Sequence, residues 1–136
     1  MDKSRLHPLV EHCMRTLALP SSALGDDGDV SMLVDDSFRI HLIPVESGWL
    51  CVKSRLCALS APGKERDAQL IRLGKFAMAM LRGSVGALAI DEQEDSLHLQ
   101  QMLRPDCRAE SLPETLGDFV NALEKWRSFA SAGERS

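Results

Sequence analysis

The chain contains no run of about 18 apolar residues, so nothing in it is long and greasy enough to span a bilayer as a helix. Its opening, MDKSRLHPLV, shows neither a long apolar run nor a small-residue cleavage site and reads as no secretory signal. There is no basic block. Lys and Arg are scattered and the net charge is −4, which argues against general binding to nucleic acid or to anionic membranes. The four cysteines, Cys13, Cys51, Cys57 and Cys107, fit neither a zinc pattern nor a Cys-x-x-Cys redox motif, and free thiols in a reducing compartment are expected.

Catalytic signatures are missing too. There is no phosphate-cradling Gly-x-x-x-x-Gly-Lys-Ser/Thr loop, no Gly-x-Ser-x-Gly and no His-Glu-x-x-His. His7 and His12 are five apart, off a common helical face. His41 and His98 fall on the polar faces of expected strands and are expected to be exposed. A Cys51–His41 pair across strands lacks a third, orienting group. The acidic groups Asp26, Asp27 and Asp29, and then Asp91, Glu92, Glu94 and Asp95, lack the order of a calcium loop and read as solvated turns. No metal, no cofactor and no enzymatic activity are expected.

What is present is an ordinary globular balance, 44% hydrophobic and 26% charged over 136 residues, enough for one domain with its own core. Leu6, Leu9, Val10, Cys13 and Leu17 recur at helical spacing and predict a first helix from about Ser4 to Leu19, with Pro8 in its first turn and Pro20 ending it. PSSALGDDGD reads as a loop. Three strands follow: Val30–Val34, a segment in which Phe38, Ile40 and Leu42 alternate with Arg39 and His41, and Trp49–Leu56. Their short turns favour antiparallel hairpins. A second helix is expected over Glu65–Arg82 with Gly83 as its stop, then strands over Val85–Ile90 and Leu97–Leu103. Ser111 is the expected cap of a last helix running to about Ala130, with 130–136 as a frayed tail. The class is α+β in the order α-β-β-β-α-β-β-α, one domain over 1–136, with a twisted antiparallel sheet packed against helices.

The second helix is unusual. Stepping about 100° per residue, its apolar positions cover an arc of roughly 220°, far wider than the stripe a helix needs to lie on one core. Either a second layer of the same chain or a second copy must cover the excess. Few elements remain for a second layer, so a homodimer is expected, with Ile71, Phe76, Met78, Met80 and Leu81 at its interface and Val85 and Leu88 beside them.

VDDSFRIHLIP followed by GWLCVKSRLCAL, the helix LIRLGKFAMAMLRG, the hairpin GALAIDEQEDSLHLQQML and the ending LGDFVNALEKWR together resemble the class I type III secretion chaperones of Gram-negative bacteria, the Tir chaperone family. The resemblance covers about Leu6 to Arg127 and rests on pattern rather than on a catalytic motif. It implies a homodimer in the bacterial cytoplasm that binds the N-terminal segment of a secreted effector, keeping it soluble and ready for secretion, with the secretion apparatus as a further partner. Effector contacts would need an open strand edge with apolar pockets, for which Leu6, Leu9, Val10, Met32, Val34, Ile43 and Val45 are the candidates. Ile43 and Val45 share strand parity with Arg39 and His41, so an outward apolar patch is expected there. A small adaptor or regulatory module of a complex unconnected with secretion is the alternative reading.

Overall fold

The computed structural model describes residues 6–83 and 85–134. The elements are α1 (Pro8–Thr16), β1 (Val30–Val34), β2 (Phe38–Pro44), β3 (Leu50–Ala58), α2 (Lys64–Met80), β4 (Ala87–Asp91), β5 (Ser96–Leu103) and α3 (Leu112–Glu134). Their order is the one the periodicities predict. The five strands form one antiparallel sheet, β1-β2-β3-β5-β4, with β1 and β4 at its edges.

Helix ends differ from the expectation for local reasons. α1 begins at Pro8, because proline suits the first helical position and the His7 side chain accepts the Leu9 N–H at 3.1 Å. The expected start at Ser4 lies outside the described residues. The helix closes at Thr16, and Leu17, expected on its apolar stripe, is exposed. A 3-10 turn at Ala109–Ser111 runs directly into α3 in place of a simple Ser111 cap. α3 continues past Ala130 to Glu134, and the last two residues of the expected frayed tail lie outside the described residues.

The hairpin β1–β2 closes through Asp35 and Asp36, both at positive φ (53° and 56°), a conformation aspartate tolerates better than most residues. Just before β4, Gly86 has a φ of 90° and lies against Leu99, where a Cβ would come within 3.0 Å of the Leu99 Cδ1. Glycine answers both constraints there.

Alternation gives the sheet two unlike faces. Val30 and Met32 of β1, Ile40 and Leu42 of β2, Leu50 and Val52 of β3, and Leu97 and Leu99 of β5 all point to one side. There they bury against Val10 of α1, Leu73 of α2 and Phe119, Leu123 and Trp126 of α3. A fully buried leucine or phenylalanine side chain contributes about 1.5–3 kcal/mol relative to exposure, so this layer dominates the stability of the fold. Among the described residues, no helix packs on the other face.

α2 joins the core by a polar anchor as well as an apolar one. The buried Gln69 accepts the Ser60 N–H at 2.8 Å and donates to the Ala58 carbonyl at 3.0 Å, fixing the helix to the end of β3. Further along, Phe76 stacks on Phe129 of α3 with ring centroids 4.2 Å apart and meets Trp126 edge-on at 4.9 Å. These contacts set the rotation of α2 about its own axis.

Candidate functional site

With Gln69, Leu73 and Phe76 turned inward, the rest of the apolar arc of α2 faces solvent. Ile71 is 61% exposed, Met78 73% and Leu81 78%. Phe76 and Met80 are half-buried beside α3, and Val85 and Leu88 are half-buried against the core. On the edge strand β4, Leu88 and Ile90 pair with Leu99 and Leu97 and so lean to the same side of the sheet as α2. Ile90 is also exposed. The strip α2–β4 is thus an uncovered apolar surface next to a strand edge.

The residues expected to meet an effector divide. Leu9, Val10 and Met32 lie in the core, each at most 3% exposed, where they support the surface without reaching it. Leu6, Val34 and Ile43 are half-buried and Val45 is exposed. Periodicity marks an apolar face, but which member of that face stays accessible depends on what packs over it.

The helix-free face of the sheet is organised in cross-strand rows. Ile43 of β2, Cys51 of β3 and Met102 of β5 form an apolar row. Next along the strands come His41, Lys53 and Gln100. Arg39 and Arg55 fall one step further, with His98 opposite Arg55. A groove of about 530 Å³ runs over this face, bordered at one end by Arg127 of α3. Arg127 is tied down: its guanidinium donates to the carbonyls of Ser37 (3.2 Å) and Arg55 (2.9 Å) and lies over the Phe38 ring. Arg39 and Arg55 have no ion pair among the described residues. Sequence parity alone put Arg39, Lys53 and Arg55 on polar faces, but only the pairing of β2 with β3 gathers them.

His98 departs from the expectation. It is 5% exposed, because Lys53, Asp91, Glu94 and Ser96 close over an imidazole that belongs to the outward face. Its Nε2 is 2.9 Å from Ser96 Oγ, and 3.9 and 3.8 Å from the Asp91 and Glu94 carboxylates. Burial pushes its pKa down, Lys53 pushes it further down, and the two carboxylates oppose the shift. His41, half-buried with its Nδ1 2.7 Å from Ser31 Oγ, is pushed down in the same way, first by burial and then by Arg39 and Lys53.

Asp91, Glu94 and His98 place one ligating atom each within 4.8 Å of one another, a spacing that would suit a divalent cation. The Lys53 ammonium, however, already lies 3.8 Å from Asp91 and supplies the positive charge there. Cys51 offers little as a nucleophile: burial pushes its thiol pKa up, and its Sγ is directed at the Val52 carbonyl. The arrangement on this face can hold a ligand by charge and apolar contact. None of its groups forms an activated nucleophile–base pair.

Comparison with known proteins finds one family and several solved structures that share this architecture. The model of the Tir chaperone protein (CesT) family matches residues 8–127. Among curated proteins, none matches the chain closely enough to count as a relative. Among solved structures, the fold is similar to a chain in the HopA1-SchA chaperone-effector complex, with a TM-score of 0.66 at 19% identity, covering 94% of this chain and 98% of that one. It is similar to a chain in the ExsC-ExsE complex, with a TM-score of 0.65 at 20% identity over 94% and 96%. A third likeness is to a chain in the structure of the Yersinia pestis type III secretion chaperone SycH with a fragment of YscM2, with a TM-score of 0.57 at 19% identity over 88% and 98%.

Proposed function

The chain belongs to the Tir chaperone protein (CesT) family, and we propose that it is a type III secretion chaperone that binds the N-terminal segment of a secreted effector and keeps it soluble and competent for export. It acts as a homodimer in the bacterial cytoplasm, hands its cargo to the secretion apparatus, and performs no chemistry on it.

The observation that carries this reading is the presence of two separate uncovered surfaces at opposite edges of one sheet. One is the apolar strip of α2 and β4, with Ile71, Met78, Leu81 and Ile90 exposed. A two-fold partner covers such a strip with its own copy. The other is the β1 edge with the adjoining outward side chains Leu33, Ile43 and Val45. An unfolded segment can add backbone hydrogen bonds along an open edge and set alternate side chains into the flanking apolar sites. Ordering an extended chain is entropically costly, so a long surface suits this task better than a small pocket.

Co-expression with secreted proteins from the source bacterium, followed by limited proteolysis and light scattering, tests the proposal. The expected result is a chaperone dimer that protects the N-terminal segment of one secreted protein and no other part of it. Recovery of a folded cytoplasmic partner in place of a secreted segment would overturn it in favour of an adaptor.

A further inference from the structure

The helix-free face of the sheet, which the cargo surface just described meets at Ile43, is cationic on a chain whose net charge is −4. Four permanent cations, Arg39, Lys53, Arg55 and Arg127, border its groove, against only two carboxylates, Asp91 and Glu94. Those two are engaged with Lys53 and His98. Arg127 spends its donors on backbone carbonyls. Arg39 and Arg55 are exposed and have no acidic partner among the described residues. Like charges gathered on neighbouring strands repel one another, and this groove supplies no further carboxylates to offset them.

The apolar row Ile43–Cys51–Met102 lies four residues along the strands from the row that holds Arg39 and Arg55. At about 3.3 Å per residue the two rows are about 13 Å apart. That is close to the roughly 10–12 Å width of an α-helix with its side chains. A segment laid across the strands therefore meets apolar side chains along one flank and unpaired guanidiniums along the other.

Resting on the chaperone reading above, we propose that this groove receives an acidic, amphipathic segment of the cargo, its apolar side over Ile43 in the groove and the exposed Met102 of the same row beyond the groove's rim, and its carboxylates on Arg39 and Arg55. A guanidinium binds a carboxylate in a two-pronged geometry that a lysine does not reproduce. The groove thus selects among unfolded segments by charge as well as by hydrophobicity. An opposite charge pattern is rejected because the arginines would be desolvated without a partner.

The test uses the full chain and a synthetic 18-residue amphipathic peptide with Leu on one face and Glu on the other. Its controls are the same peptide with Lys for Glu and a single-stranded oligonucleotide of matched length, all read by fluorescence anisotropy. The expected result is at least tenfold tighter binding of the Glu peptide than of either control. That preference should be lost in the R39E/R55E double variant and weakened by 0.5 M salt, which screens exposed charge. Both substitutions lie on exposed side chains, and an unchanged circular dichroism melt would show that the fold is kept. Equal binding of the Glu and Lys peptides, an undiminished R39E/R55E variant, or an oligonucleotide that binds as tightly as the Glu peptide would each overturn the proposal. If R39E/R55E still protects a secreted N-terminal segment as well as the wild-type chain does, the acidic-segment proposal fails while the chaperone reading stands. If the Glu peptide is preferred but no secreted segment is ever protected, the cargo assignment fails and the reading of the chain as a chaperone fails with it.

Discussion

Phe76 on α2 lies flat against Phe129 on α3, their planes within 6° and their centroids 4.2 Å apart. This stack, with Trp126 at its edge, fixes which side of α2 looks inward and therefore which apolar residues are left outside. Phe76→Ala is expected to destabilise the chain by about 2–3 kcal/mol, at or below the low end of the roughly 3–5 kcal/mol seen for fully buried aromatic truncations, because the ring is only half-buried. A urea melt checks it.

On the opposite side of the same helix, Met78→Glu and Leu81→Glu should behave differently. Both side chains are largely exposed, so neither change should lower the stability of the protomer. Each should convert a particle of twice the 15.0 kDa chain mass into one of 15.0 kDa by light scattering. A wild-type chain that is monomeric at micromolar concentration would defeat the dimer proposal.

Ile43→Asp should weaken cargo binding by about tenfold, on the order of 1.4 kcal/mol, without changing the melting temperature. The side chain stands on the outward face, in the row with Cys51 and Met102, so its loss removes contact surface and leaves no core cavity. Val10→Ala is the contrast. Val10 is fully buried, and its truncation should lower stability while affecting affinity only through the folded fraction. Titration calorimetry with a protected cargo segment, paired with thermal melts, separates the two.

Gln69→Leu keeps the volume of the side chain but leaves the Ser60 N–H and the Ala58 carbonyl without the partner they share. A buried polar group left unsatisfied costs about 1–3 kcal/mol. The urea midpoint should fall accordingly, and amide exchange should quicken at the start of α2.

His98 makes stability depend on pH. Its folded pKa lies below the ordinary 6.5, first through burial and then through Lys53, with Asp91 and Glu94 opposing and Arg55 adding to the depression. The unfolded chain therefore binds the proton more readily than the folded one. The contribution of the neutral imidazole is fully present above about pH 6.5 and is lost as pH falls through the folded value. His41 acts in the same direction. The melting temperature should fall on going below pH 6.5, and the H41Q/H98Q double variant should flatten that part of the curve. A wild-type curve that rises on acidification would contradict the assignment.

Much of this molecule is legible in local spacing. Val30–Val34 is a strand with the bounds that its apolar run predicts, and the alternation of Phe38, Ile40 and Leu42 with Arg39 and His41 survives in β2. The two helices that flank β4 and β5 are likewise readable from 3.6-residue periodicity. Period and turn chemistry are properties of a few neighbouring residues, so a sequence displays them directly. Leu9, Val10 and Met32 show where that legibility stops. Their spacing identifies an apolar face, yet no local signal says that α1 and β1 bury these members and leave Leu6, Val34 and Val45 nearer the surface.

The sequence by itself determined the order of elements, the two-sided character of the sheet strands and an apolar arc on α2 too wide for one core. Only the tertiary structure decided the pairing of β3 with β5, the irregular register between Arg55 and Cys57, and the gathering of Arg39, Lys53 and Arg55 on one face. It also decided the burial of His98, which alternation alone places at the surface. The physical reason is the range of the forces involved. Side-chain period is set by backbone geometry over a few residues. Burial and charge clustering depend on which distant segments meet, and that is settled by the packing of the whole chain.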